Sequence, residues 1–252
     1  MTDSLGYRMK YAVVAPSTNT SVQPEYDDMR PRGVTNHFSR ISIPDTTVTS
    51  DEGFMEMLNN IREATMDAVD VSMSMEPGCV IMGMSAETFW DGAEGAERLH
   101  RRMLERTGGV PVIMGSTAVD AAIKAYSSVV GEIRRIGILT PYMPVGDANV
   151  RKFFEDQGYE VVNLVGLQSP SPMRIAHEGK QKLKNAAIQV SEGVDAVIQC
   201  GTNLAFAEVA AMAEFWLEKP VIAINTATYW HALRTMGITD QKDGFGRLLA
   251  EF

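Results

Sequence analysis

The residues with the most chemical potential gather in three short stretches. Pro16-Ser-Thr-Asn-Thr20, Gly83-Met-Ser-Ala-Glu-Thr88 and Cys200-Gly-Thr-Asn203 each follow a short apolar run and precede a helical pattern. All three are small, polar and rich in hydroxyls. Backbone amides and hydroxyls at a strand-to-helix turn, backed by the positive end of the helix dipole, make a cradle for a carboxylate. The same residue types also cap helices, so one such loop alone says little about function. Matched loops in two halves of the chain favour the cradle. Ser17, Asn19, Thr20, Ser85, Gly201, Thr202 and Asn203 are the candidate substrate-binding residues.

Two further groups could move a proton or attack a substrate. Cys200 ends a strand, and near a helix N-terminus its thiol pKa would fall, making it a nucleophile or proton carrier. Cysteine is also a common small apolar filler. Glu87 stands among Met84, Phe89 and Trp90, where a raised pKa would suit a general acid or base. Its plainer role is that of a first-turn carboxylate complementing a helix dipole. Cys79 begins a strand, at the far end from Cys200, so the two thiols should not meet. His37, His100, His177 and His231 are scattered without ligand spacing, and no metal is expected. No Walker sequence is present and no Gly-x-Gly-x-x-Gly follows the first strand, so no nucleotide cofactor is expected either.

The elements that must position these residues alternate regularly. Tyr11–Ala15 reads as a buried strand stopped by Pro16, and 37–43 as a half-buried one. Asp51 caps a helix to about Met75, with Phe54, Met57, Leu58, Ile61 and Thr65 on one face. Strands over 79–84 and 110–114 alternate with helices over 91–107 and 116–129. The pattern restarts at Arg135. Strands at 135–140, 159–165, 195–200 and 221–224 alternate with helices at 145–157, 180–192, 204–217 and 226–236. Gly78-Cys-Val-Ile-Met matches Asp195-Ala-Val-Ile-Gln, and Val110-Pro-Val-Ile matches Lys219-Pro-Val-Ile, so the halves look duplicated. The expected fold is α/β: two similar doubly wound parallel-sheet lobes related by a pseudo-two-fold, with the active-site cleft between them. Residues 1–118 plus 226–252 are assigned to the first lobe and 119–225 to the second.

Composition narrows the partners. With 252 residues, 45% hydrophobic and 22% charged, the chain can bury a sizeable core without staples. Its net charge of −9 argues against a phosphate-tracking surface and hence against nucleic acid. No apolar run reaches the roughly 18–20 residues of a membrane span. Two cysteines make no disulfide framework, which points to a reducing cytoplasm. A small molecule is the expected partner.

At its loops the chain resembles the aspartate/glutamate racemase superfamily, and within it the maleate cis-trans isomerase and arylmalonate decarboxylase branch. Val14-Ala-Pro-Ser-Thr-Asn-Thr20 is similar to that branch's Pro-Ser-Ser-Asn-Thr motif, whose Asn and hydroxyls bind a substrate carboxylate. Thr140-Pro-Tyr-Met143 is similar to the isomerases' Ala-Pro-Tyr-Met, which implies that Tyr142 reaches the substrate and makes it a third candidate catalytic residue. Ser116-Thr-Ala-Val119 and Gly244-Phe-Gly-Arg-Leu248 resemble decarboxylase segments. Racemases and isomerases of the family carry a cysteine after each of two equivalent strands, and the decarboxylases keep only the second. Aligned without gaps, the first position falls here on Met84 or Ser85. The second falls on Gly201 or Thr202, with Cys200 one or two places early. A slip that brings Cys200 into the site preserves one-cysteine chemistry; otherwise the chain has neither family nucleophile. A homodimer or higher homo-oligomer is implied by the resemblance.

The leading expectation is an enzyme that isomerises or decarboxylates a small mono- or dicarboxylic acid without metal or nucleotide. Preorganised donors around developing negative charge would do most of the work. A cysteine-independent lyase or hydrolase using Glu87, and a non-catalytic carboxylate-binding protein, are the alternatives.

Overall fold

Among the described residues eight parallel strands form two four-stranded sheets, buried on both faces except for the partly exposed strands over 34–41 and 160–166. The structure, a computed structural model, describes residues 2–43, 45 and 50–252, without the side chains of 51, 54, 55 and 57–60. The first half runs β1 (Met9–Pro16), α1 (Val22–Met29), β2 (Val34–Ile41), α2 (Asp51–Met73), β3 (Cys79–Met82), α3 (Gly92–Arg106), β4 (Val112–Ile113) and α4 (Gly115–Val130). The second runs β5 (Arg135–Thr140), α5 (Pro144–Asp156), β6 (Glu160–Gly166), α6 (Lys180–Val190), β7 (Ala196–Gln199), α7 (Ala207–Leu217), β8 (Val221–Ala223), α8 (Ile224–Thr235) and α9 (Arg247–Glu251). The sheets have the same order, β2-β1-β3-β4 and β6-β5-β7-β8, and every pairing is parallel. Short 3₁₀ turns at Ala86–Phe89 and Met173–His177 decorate the ends of the sheets that carry the loops of interest.

The continuous apolar runs predicted as strands are strands because sheets covered on both sides offer no polar face. Tyr11 to Ala15 and Cys79 to Met82 are all inaccessible to solvent. Differences from the sequence reading lie at the boundaries. Helix α2 is capped by Ser50, whose hydroxyl accepts from the Gly53 amide, instead of by Asp51. The face expected at Phe54, Met57 and Leu58 lies outside the described residues; Ile61 and Thr65 are buried. Strand β2 ends at Ile41, and α7 starts at Ala207, because Leu204 first closes a turn onto the Gly201 carbonyl.

Two helices had no clear sequence signal. Helix α1 contains Pro24 and two aspartates, and it starts where it does because Asn19 Oδ1 accepts from the Ser21 and Val22 amides. Pro24 sits in the first turn, where no amide is missed. Helix α9 is a single five-residue piece.

The helices tie the halves together. Helix α8 packs on α4 and also on α1, β3 and β4, while α4 touches β8. Tyr11 donates to the Ala232 carbonyl at 3.0 Å, and the Tyr229 ring lies 4.9 Å from Tyr26 and 5.9 Å from Tyr11. Among the described residues no helix is long and apolar enough to cross a membrane.

Candidate active site

The loops at the carboxyl ends of both sheets meet around one cleft, as expected where strand ends of two α/β lobes face each other. Pro16, Thr18 and Asn19 come from the loop after β1; Met84, Ser85 and Ala86 from that after β3. The second half supplies Pro141, Tyr142 and Met143 after β5, Ser169, Ser171, Pro172 and Ile175 after β6, and Gly201, Thr202 and Asn203 after β7. Ile43 and Ile61 complete the wall. The cavity volume is about 80 Å³. At roughly 10–15 Å³ per water-sized centre, that admits a molecule of a few heavy atoms.

Hydroxyls and amides of the two halves interlock at the cleft. Tyr142 Oη and Ser85 Oγ share a hydrogen bond at 2.6 Å, and Ser85 Oγ accepts from the Thr202 amide at 3.0 Å. Thr202 Oγ1 donates to the Gly83 carbonyl at 3.1 Å and accepts from Asn19 Nδ2 at 3.3 Å. Asn203 Oδ1 accepts from the Thr20 amide at 2.9 Å, and Ser21 Oγ donates to the Asn203 carbonyl at 2.9 Å. Asn225 Nδ2 donates to both the Thr202 carbonyl, at 2.9 Å, and Glu25, at 2.5 Å. Each half therefore fixes the side chains of the other.

Among the described residues no charged side chain lines the cleft. Neutral donors face an apolar wall of Ile43, Ile61, Met84, Met143 and Ile175. Burial pushes the Tyr142 phenol far up from its ordinary value, so it stays a neutral hydrogen-bond donor. Gly201 is required at the rim. Its φ is +147°, and a Cβ there would stand 2.5 Å from Pro141 Cδ.

Five of the predicted binding residues, Asn19, Ser85, Gly201, Thr202 and Asn203, line the cleft together with Tyr142. Ser17 does not. Its hydroxyl donates to the Ile43 carbonyl and accepts from the Ile43 amide, extending the β1–β2 ladder past its end. Thr20 offers its amide to Asn203, and its side chain is exposed outside the cleft lining.

Glu87 also lies outside that lining. Two residues beyond Ser85 on the 3₁₀ turn, it pairs with Arg62 of α2 at 2.5 Å. It lines a separate groove with Trp90, Asp91, Arg98 and Arg102. Burial raises its pKa, as anticipated, while Arg62 opposes the shift. A carboxyl with that partner is built into the junction of α2 and the turn, away from any substrate in the cleft.

Cys200 is fully buried and lies just behind the lining, next to Gly201. The lowered thiol pKa expected from a helix N-terminus is reversed. Burial first, and then the Asp147 carboxylate, push it well above the ordinary value. Strand register also defines its counterpart. Val14 pairs with Met82 in the first sheet and Leu139 with Gln199 in the second. One residue on, the Gly83 amide donates to the Val14 carbonyl at 2.7 Å and the Cys200 amide to the Leu139 carbonyl at 2.8 Å. Gly83 and Cys200 are thus equivalent, a glycine in one half and a thiol in the other. Cys79 sits at the opposite end of β3, its thiol pushed up to about 12 by burial.

Sequence reasoning missed the second half's contribution from 169–175. The available signal was position: the segment follows the carboxyl end of β6, as the other lining loops follow their strands. The apolar wall was missed because Ile and Met read as core in any α/β chain.

Comparison with known proteins agrees with this geometry. The arylmalonate decarboxylase (Amdase) family profile matches residues 12–249. A maleate isomerase of Pseudomonas putida is 22% identical over 246 residues, covering 94% of this chain and 95% of that protein. The fold is shared with a cysteine-to-serine variant of Nocardia farcinica maleate cis-trans isomerase carrying a covalently bound succinylcysteine intermediate. That match has a TM-score of 0.84 and 20% identity, and covers 97% of this chain and 99% of that one. An arylmalonate decarboxylase variant in its liganded form, with one glycine changed to cysteine and one cysteine to serine, gives a TM-score of 0.79. It is 19% identical, covering 97% of this chain and all of the other.

Proposed function

The chain belongs to the arylmalonate decarboxylase family, and from that premise we propose that it decarboxylates a small substituted malonate-type acid without a cofactor. The observation that carries this reading is the equivalence of Gly83 and Cys200. One thiol and one glycine at matched strand ends supply a single proton donor, whereas two-base racemisation needs a donor on each side.

The reaction follows from the groups present. One carboxylate of the substrate accepts hydrogen bonds from the Ser85–Tyr142 hydroxyl pair and from the Asn19 side-chain amide, while Thr202 and Asn203, whose donors are held by Ser85, Gly83, Thr18 and Pro172, keep the cradle in shape. The other lies against the apolar wall, where its charge is poorly solvated. Cleavage of the carbon–carbon bond releases carbon dioxide and leaves the electron pair as an enediolate on the retained carboxylate. Neutral donors aimed at that oxygen charge stabilise it most in the transition state. The Cys200 thiol then gives its proton to the carbon and becomes a thiolate. A thiol held protonated by burial suits donation; covalent addition to a double bond would call for a ready thiolate.

Cis-trans isomerisation is the second reading, favoured by the isomerase-like Thr140-Pro-Tyr-Met143 and by Tyr142 on the cleft. The exposed apolar face of α7, Met212, Phe215 and Trp216, supports self-association of the chain, which sedimentation would measure.

The test is turnover of aliphatic and aryl malonates, and of maleate, in deuterated buffer. Wild type should release carbon dioxide and place one deuterium on the product's α-carbon. Cys200→Ala should abolish both, and Glu87→Gln should keep both. Retained decarboxylation in Cys200→Ala would refute the thiol's role. Fumarate from maleate, with a mass adduct on Cys200, would favour isomerisation.

A further inference from the structure

The cleft loop after β7 is gripped from behind by two residues outside the cleft lining. Thr202 is held at both ends of its backbone: its amide donates to Ser85 Oγ at 3.0 Å, and its carbonyl accepts from Asn225 Nδ2 at 2.9 Å. Asn225, in the first turn of α8, is buried and gives its second amide hydrogen to Glu25 Oε2 at 2.5 Å. Glu25 lies in the first turn of α1, and its other oxygen accepts from the Ala207 amide at 3.2 Å, where α7 begins. One carboxylate from the first half thus reaches the second half twice, directly at Ala207 and through Asn225 at Thr202. Neither Glu25 nor Asn225 is among the residues that line the cleft.

The pairing is directional. A carboxylate and a carbonyl only accept, so both need hydrogens from the Asn225 amide. Turning that amide over would set its oxygen against two other oxygens and release Thr202. In the orientation that serves both, Asn225 Oδ1 is buried and has no partner among the described residues. A half-satisfied buried amide is costly, and an apolar residue would avoid that cost. What asparagine supplies here, and an apolar side chain cannot, is two hydrogens on one nitrogen, one for the anchor and one for the loop. The anchor itself is well placed, because a carboxylate at the start of the 11-residue α7 complements the helix dipole.

We propose that Glu25 and Asn225 are positioning residues for the cleft: Glu25 orients the Asn225 amide, and the amide fixes the Thr202 backbone so that its N–H keeps Ser85 Oγ set against Tyr142 Oη. The inference rests on the reading of the Ser85–Tyr142 pair as donors to the charge that develops on the substrate. The route runs from Glu25 to Asn225, through the Thr202 backbone to Ser85, and on to Tyr142, with no hydrogen bond longer than 3.0 Å.

The test is steady-state decarboxylation of the malonates by Asn225→Ala, Glu25→Gln and the double variant, beside urea unfolding of each. Assays run above about 7, the value to which burial lifts Glu25, so that wild type carries the carboxylate. Asn225→Ala should lower kcat by roughly 10- to 100-fold with KM within about twofold, the pattern of a small misplacement felt in the transition state. Glu25→Gln offers one acceptor where the carboxylate offers two, and should lose several-fold in kcat. In Asn225→Ala, adding Glu25→Gln should cost less than about twofold further in kcat, because its effect on the cleft passes through Asn225. The unfolding midpoint should still shift, because the Ala207 contact does not. Losses in kcat that multiply in the double variant, or wild-type kcat in Asn225→Ala, overturn the proposal. Should Asn225→Ala fail to fold, Glu25→Gln decides alone: lower kcat at unchanged KM supports positioning, and wild-type kcat refutes it. Crystal structures of the folded variants separate this from the reaction itself. A Thr202–Ser85 contact that keeps its wild-type length refutes positioning whatever is turned over. An opened contact, in a chain whose wild type decarboxylates none of the malonates, refutes the reaction and leaves the positioning standing.

Discussion

Replacing Tyr142 by Phe separates catalysis from stability at one atom. The phenol is buried and shares its 2.6 Å hydrogen bond with Ser85 Oγ, which also accepts from the Thr202 amide. Removing it leaves Ser85 with a donor still in place, so no buried group is orphaned on that side. The stability loss should therefore be that of one neutral hydrogen bond, about 1 kcal/mol. The rate should suffer far more. A donor aimed at oxyanion charge is worth about 2.7–4 kcal/mol of barrier, a fall of roughly 10²–10³ in kcat. Because the hydrogen bond strengthens as charge develops, KM should change little. Ser85→Ala supplies the contrast: it deprives both Tyr142 Oη and the Thr202 amide, and should cost about 1–3 kcal/mol of stability as well as rate. The assays are steady-state decarboxylation and urea unfolding of wild type and both variants. A Tyr142→Phe enzyme within about threefold of wild-type kcat, but clearly less stable, would mean the hydroxyl pair only joins the lobes; the threshold is small beside the oxyanion effect expected.

Glu87→Gln should turn over within a few-fold of wild type, because the carboxyl pairs with Arg62 outside the cleft, and a dead enzyme would restore it to the site. Arg62→Met strands that carboxyl and should lower stability near neutral pH, an effect that adding Glu87→Gln should largely rescue in thermal unfolding. Burial lifts Glu25 from 4.5 to about 7, so the folded state holds its proton more tightly than the unfolded chain. Relative to Glu25→Gln, wild-type stability should be unpenalised below about 4.5 and fall as pH rises toward about 7; a difference in unfolding midpoint that ignores pH would contradict this. Gly201→Ala forces a side chain into a φ of +147° against Pro141, and should cost about 1–3 kcal/mol in denaturant unfolding together with most turnover.

The parts of the fold legible in the sequence are those whose residues report on themselves. Parallel strands such as Val13-Val14 and Val80-Ile81 are read directly because burial on both faces leaves only apolar choices. The matching of Gly78–Met82 with Asp195–Gln199 holds residue for residue in the strand register. Helix α1 escaped because its start is set by the Asn19 side chain, a signal outside the helix. The site divides the same way. Asn19, Ser85, Thr202 and Asn203 reach the cleft because strand ends deliver whole loops to it. Which side chain in a loop faces inward depends on local dihedrals and on competing partners. Ser17 was taken by the Ile43 backbone and Glu87 by Arg62, neither visible in spacing. The pKa of Cys200 was misjudged because helix proximity was weighed without the burial and the Asp147 charge that exceed it.

The seating of α8 on the first sheet also sets a timetable. Tyr229 and the Ala232 carbonyl, which complete the packing of Tyr11 and Tyr26, belong to the end of the chain, whereas β1 and α1 are made first. A ribosome delivers the N-terminal sheet long before the segment that covers it. That sheet must wait, one apolar side not yet covered by α8, until 224–235 clears the exit tunnel, and exposed apolar surface of that kind is open to aggregation. A premature stop shortly after β8 therefore does more harm than its position suggests. It removes few residues, but it leaves the first half, already complete in sequence, unable to finish folding.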